Sequence, residues 1–346
     1  MPRPPLAVRI RQKLGMAVVD GFFHGASAIG RLHPASKPEK HDVEVIKDVR
    51  YRDGDLEEHL LDVYRPRARA ERLPVLMYVH GGAFRILSKD THWLMALSFA
   101  RQGFLVFNIS YRLAPRHPFP AAIEDACAAY EFVVHEAQAY GGDPSTLVLA
   151  GESAGGNLAT SLTIASTFER PEPFARAVFE TGVVPKAVVP ACAFLEVSRP
   201  ERFANLYGGK LSGFLHDRIL EASSAYLRGV PHAAGDPALD LADPLVLLER
   251  GDRPVRPPPP FFVPCGTADP LLDDSRRLER ALADLGVPCE ARYYEGELHA
   301  FHAFVMRRAA RRCWRDTFAF LERALGRPLR PSGRTPWDRT TAESTR

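Results

Sequence analysis

The chain has 346 residues, 46% hydrophobic and 25% charged, with a formal net charge of +3. That composition is ordinary for a globular chain, and its scattered arginines give no electrostatic push toward nucleic acid. Five widely spaced cysteines (Cys127, Cys192, Cys265, Cys289, Cys313) with no C-x-x-C pair exclude a zinc ribbon and a disulfide framework, and fit a reducing, cytoplasmic setting.

In chain order, residues 6–32 read as one or two amphipathic helices with Leu14, Val18, Phe22 and Ile29 on one side. Packing of that face on the protein body is expected ahead of contact with a membrane surface. Arg9, Arg11 and Lys13 before the apolar run 14–23 faintly outline a signal peptide, but Asp20 interrupts the run. No stretch of about 18 apolar residues occurs, so no stable membrane span is predicted. Residues 43–64 suggest two antiparallel strands turned at Arg52-Asp53-Gly54-Asp55. Strands at 74–79, 104–109, 147–150, 187–189, 261–265 and 289–294 then alternate with helices at 119–136, 154–167, 275–285 and 301–325. Such alternation predicts an α/β fold with a mostly parallel central sheet flanked by helices. Residues 194–250 break the rhythm with short helical stretches and glycines at 208, 209, 213, 229 and 235. They read as an insertion acting as a lid or cap. The expected organisation is N-terminal helices at 1–40, core at 41–193 and 251–326, insertion at 194–250, and a disordered Pro/Arg/Ser/Thr-rich tail at 327–346.

Four segments carry chemistry. Leu147 to Ala150 is an apolar strand running into Gly151-Glu152-Ser153-Ala154-Gly155, followed by a helical stretch. A serine on a sharp strand-to-helix turn is the setting of an exposed nucleophile, with the helix N-terminus facing developing negative charge. The strand at 74–79 ends in His80-Gly81-Gly82-Ala83-Phe84. Glycines there let backbone N–H groups approach a tetrahedral oxyanion, so Gly81, Gly82 and Ala154 are the expected donors and His80 a supporting residue. Glu152, beside the serine, is either a supporting group or a charge tolerated at the pocket rim. A nucleophilic serine also needs a base and an orienting carboxylate, in the order Ser, Asp, His. Asp269 follows the strand at 261–265 and is preferred to Asp273 and Asp274, which sit where a helix starts and read as caps. His299, in the loop after the strand at 289–294, is preferred to His302, expected on the next helix. His80, Ser153, Asp269 and His299 thus all follow strand C-termini, the edge where open α/β sheets bind ligands.

These residues, with Tyr111-Arg112-Leu113-Ala114-Pro115, His117-Pro118-Phe119-Pro120 and Gly141-Gly142-Asp143-Pro144, resemble the hormone-sensitive-lipase-like esterases of the α/β-hydrolase superfamily over residues 55–325. The resemblance implies an α/β-hydrolase fold, a Ser153–His299–Asp269 triad, and carboxylester hydrolysis through an acyl-enzyme. It also implies a cap built from the N-terminal helices and the insertion. The chain departs from the family at Ala83 and Ala300, where glycine is usual, at Glu152 for aspartate, and at Arg116 for an acidic residue. The expected partner is a small-molecule ester with a small to medium acyl group. The triad requires no cofactor and no metal, and a homodimer is compatible with this reading. Amidase, arylformamidase-like or peptidase chemistry shares the same groups. A non-catalytic ligand-binding homologue is disfavoured because His299 is present.

Overall fold

The computed structural model describes residues 6–67, 72–206, 213–231 and 235–331. The expected tail beyond residue 331 and the glycines at 208 and 209 lie outside the described residues, and Leu14 lies outside the described side chains. The elements are α1 (Leu6–Leu32), β1 (Val43–Arg50), β2 (Leu60–Pro66), β3 (Leu73–Val79), α2 (Trp93–Ala100), β4 (Leu105–Ile109), α3 (Ala121–Glu136), β5 (Gly142–Glu152) and α4 (Ala154–Thr167). They continue with α5 (Pro173–Glu180), β6 (Ala187–Ala191), α6 (Arg202–Leu206), α7 (Gly213–Tyr226), α8 (Pro244–Glu249), β7 (Phe261–Gly266), α9 (Leu272–Asp284), β8 (Cys289–Tyr294) and α10 (Arg308–Leu325).

Mainly apolar runs make β3, β4 and β6, and every residue of the three, Asn108 of β4 included, is buried. That pattern belongs to central parallel strands covered on both faces. The sheet order is β1-β2-β4-β3-β5-β6-β7-β8. The β1–β2 and β2–β4 pairs are antiparallel, and the rest of the sheet is parallel. One core lies beneath α3, α4 and α9, with Ile123, Leu158 and Leu278 fully buried. The other packs Phe99 of α2 against Trp314 and Phe318 of α10, with Trp93 in the same cluster. The C-terminal ends of β3, β5, β7 and β8 therefore open on one edge, and His80, Ser153, Asp269 and His299 follow them in that order.

Three expectations need correction. The helix expected over 301–325 is broken: a 3-10 turn at Phe301–Ala303 precedes α10. The indole of Trp314 takes the His302 carbonyl at 3.0 Å, so that carbonyl does not serve a continuing helix. Helix α1 does pack on the body, but not by the expected face. Val18, Phe22 and Ile29 are 67%, 57% and 71% exposed, whereas Met16 is buried. The reason is the neighbouring surface: Gly30 abuts the Trp93 ring, Gly15 abuts Arg218 of α7, and the Trp93 indole donates to Ser27 Oγ at 2.9 Å. Finally, α2 was unexpected. Its sequence is apolar on nearly every side and almost all of it is buried, so no helical period marks it.

Candidate active site

Ser153 sits between the end of β5 and the first residue of α4 with φ 54° and ψ −118°. Such a conformation costs about 1–3 kcal/mol outside glycine and persists only where neighbours hold it. Here the Ser153 N–H donates to the Ala191 carbonyl at 3.0 Å, and the Ser153 carbonyl accepts from Phe194 and Asn157 at 3.2 and 3.1 Å. The turn closes tightly because Gly155 has no side chain: a Cβ there would lie 2.0 Å from the Val79 carbonyl oxygen.

That contact brings the turn against the His80-Gly81-Gly82 loop. His80 is fully buried and stacked on Tyr111 at 4.2 Å, and the Tyr111 hydroxyl donates to the His80 carbonyl at 2.8 Å. Burial drives its imidazole down to about 3, so it is neutral and supports the loop. Gly82 has φ 114°, a value that favours glycine, and Ala83 and Phe84 follow at 56° and 60°. One expected oxyanion donor is already committed. The Gly81 N–H donates to Glu152 Oε1 at 2.7 Å. The N–H groups of Gly82 and Ala83 donate to nothing among the described residues. Gly81 is committed because the buried Glu152 carboxylate, which also borders the cavity, reaches its N–H. The carboxylate accepts from the Tyr78 hydroxyl and pairs with His92 Nε2 at 2.6 Å. Burial opposes its ionisation, yet His92 and the hydrogen bonds outweigh that cost and hold the carboxyl down at about 2.

Asp269 is fully buried past the end of β7, its Oδ1 fixed by the Leu271 N–H at 2.8 Å. His299 Nδ1 lies 2.9 Å from its Oδ2 and 3.1 Å from its Oδ1. The carboxylates accept, so Nδ1 carries the proton and Nε2 is the free nitrogen of a neutral imidazole. Burial lowers the basicity of His299, but the Asp269 charge and hydrogen bond reverse the sign and raise it above its ordinary 6.5. The rival His302 is buried on the 3-10 turn, where burial drives it to about 4. The rival carboxylates serve elsewhere. Asp273 pairs with Arg202, and Asp274 pairs with Arg202 and accepts from the Leu195 N–H at 2.8 Å. Both stand in the first turn of α9, but Asp274 ties the insertion to the core instead of capping the helix.

Cys192 lies with Asp269 and His299 so that one ligand atom of each falls within 4.8 Å of the others. Burial and the Asp269 charge push its thiol up, so it stays protonated, and the Asp269 oxygens are already taken by His299 and Leu271. The cluster fits an Asp–His relay better than a cation site. Ser153, His299, Gly82 and Ala83 all line a cavity of about 1030 Å³. Its other walls are mainly apolar, with Met16 and Phe23 of α1, Ile219 of α7, and Phe304 and Val305 ahead of α10. Its size stands at the upper end of the roughly 300–1,000 Å³ of small-molecule sites.

Sequence reasoning missed two members of this region, Tyr78 and His92. A tyrosine in an otherwise aliphatic buried strand needs a partner for its hydroxyl, which was the available signal. His92 stands before a helix that no periodicity announces, so it carried none.

A strained serine at a strand–helix turn, a glycine loop beside it and an Asp–His pair on the same sheet edge define the site of an α/β hydrolase. The chain belongs to that family: a family model described as alpha/beta hydrolase fold matches residues 76–303. The hormone-sensitive-lipase-like resemblance holds. The chain is similar to carboxylesterase NlhH of Mycobacterium tuberculosis, 31% identical over 269 residues covering 76% of this chain and 77% of the relative. It is also similar to acetyl esterase of Salmonella schwarzengrund, 31% identical over 240 residues covering 69% and 68%. Among solved structures, a hyperthermophilic esterase from the archaeon Pyrobaculum calidifontis superposes with TM-score 0.67 at 28% identity, covering 93% of this chain and 99% of that one. Among the described residues no helix is long and apolar enough to cross a membrane.

Proposed function

We propose that the protein is a serine carboxylesterase acting on small-molecule esters with apolar acyl groups of small to medium size. The observation that carries this reading is the His299–Asp269 hydrogen bond on the same cavity as the strained Ser153. In the proposed cycle, His299 Nε2 takes the Ser153 proton as Oγ attacks the ester carbonyl. The oxyanion is held by the N–H groups of Gly82, Ala83 and Ala154; Gly81 is withdrawn from the donor set because Glu152 occupies it. His299 then protonates the leaving alcohol, and water attacks the acyl-enzyme by the same route. Asp269 fixes the tautomer of His299 throughout. Helix α1 and the insertion act as a two-part cap whose apolar side chains receive the acyl group.

Ser153→Ala is expected to lower p-nitrophenyl ester hydrolysis by about 10³-fold or more at unchanged fold, judged by circular dichroism. Undiminished turnover in that variant contradicts the assignment.

A further inference from the structure

Glu152 precedes the proposed nucleophile, and its carboxylate is held from three sides. Tyr78 donates to Oε2, His92 Nε2 lies 2.6 Å from Oε1, and the Gly81 N–H donates to the same Oε1 at 2.7 Å. His92 is itself fixed at the start of α2. Its Nδ1 lies 3.1 Å from the Ser88 carbonyl and 2.9 Å from Thr91 Oγ1, and its ring sits 5.4 Å from that of His80. A carboxylate can only accept, so Nε2 carries a proton and donates to Glu152, while the Ser88 carbonyl and the Thr91 hydroxyl hold Nδ1 on the other side of the ring. Polar groups removed from water this far are costly unless each is oriented by further hydrogen bonds, and here each is. The result is a rigid brace from α2 to the peptide that enters the glycine loop. Rotation of the Gly81 peptide would break its bond to Glu152, and that peptide sets where the Gly82 and Ala83 N–H groups point.

We infer that His92 is a positioning residue: through its Nε2–H bond to Glu152 it locks the Gly81 peptide and so aims the oxyanion donors of the loop. The inference rests on the serine-hydrolase reading above. His92 borders the cavity, but both its ring nitrogens are engaged, by Glu152 on one side and by Ser88 and Thr91 on the other, so its influence on the loop runs through Glu152. A structural role confined to stability would leave the chemistry of folded molecules unaltered. An aiming role lowers transition-state stabilisation selectively.

The test uses His92→Asn in the full chain, with active sites counted by fluorophosphonate titration. The expected result is a fall in kcat of about tenfold to a hundredfold, below the ~100- to 1,000-fold loss on deleting an oxyanion donor outright. KM should stay within about threefold, because the substrate carbonyl draws on those donors less than the oxyanion does. Affinity for a trifluoromethyl ketone, whose serine adduct carries a tetrahedral oxyanion, should fall by a similar factor to kcat. Wild-type kcat and ketone affinity in fully titrating His92→Asn overturn the inference alone. Wild-type protein that takes no label overturns the parent reading and this one with it. If His92→Asn does not fold, Tyr78→Phe decides, since it removes the other support of Glu152. The same selective loss there supports the brace, and unchanged kcat and ketone affinity contradict it.

Discussion

His299 is one-third exposed at the cavity and bonded to a fully buried carboxylate. Burial alone would make it a weaker base; the Asp269 charge and hydrogen bond make it a stronger one. A general base works only when neutral, so raising its pKa moves the acid limb of the activity profile up in pH. Activity per mole of enzyme should therefore fall with a midpoint above 6.5 as pH decreases. In Asp269→Asn the raising influence is gone, so the limb should move to lower pH while kcat drops by up to about 10⁴-fold. A kcat/KM profile whose acid limb lies below 6.5 and stays put in Asp269→Asn contradicts the pairing. At this scale much of the site was legible. Ser153, Asp269 and His299 could be singled out because each follows an apolar strand, and strand ends are readable from local composition. The Gly81 assignment failed for a non-local reason: its N–H is taken by Glu152, whose rotamer is set by Tyr78 and His92 from two other elements. Ala83 and Ala300, the two departures from family glycines, both adopt left-handed φ, 56° and 53°. Alanine there carries strain of about 1–2 kcal/mol that glycine would avoid.

Among elements, strands and helices that obey a clean period fell where the sequence places them: α4 and β8 match the expected bounds, and β3, β4 and β7 lie within a residue or two. The failures have physical causes. Helix α2 is buried on nearly all sides and so loses its period. Helix α1 is periodic, but which stripe faces inward depends on Trp93 and Arg218, residues far along the chain. The insertion after β6 is pinned by polar groups that look alike in sequence. Asp274 of α9 binds the Leu195 N–H and Arg202, and Asp243 accepts from the Val197 and Ser198 N–H groups. Asp274→Ala removes a buried charge and leaves Arg202 to Glu196 and Asp273. It should lower unfolding stability by about 3 kcal/mol, the low end for breaking a buried pair. Urea denaturation reads this, and a wild-type midpoint contradicts it. Fluorophosphonate labelling of the folded fraction should persist, which separates Asp274 from Asp269.

For the whole molecule, the parallel sheet assembles residues from β3, β5, β7 and β8 on one edge, while α1, α7 and the residues before α10 wall the cavity above it. The edge was foreseeable because parallel α/β topology forces strand C-termini to one side. The cavity was not, since its walls join α1, α7 and residues 304–305, segments far apart along the chain. Charged links carry the insertion on the core: Arg277 of α9 pairs with Glu196 and Glu249, and Asp240 is shared by Arg170 and Arg250. The proposed cycle requires this frame to activate a single serine, Ser153, at the cavity. Mass-spectrometric mapping of the adduct formed with a fluorophosphonate tests it most directly. One adduct per chain is expected, on Ser153, with hydrolysis lost in proportion to labelling and no adduct in Ser153→Ala. An adduct on another residue, or ester hydrolysis that survives complete labelling of Ser153, would contradict it.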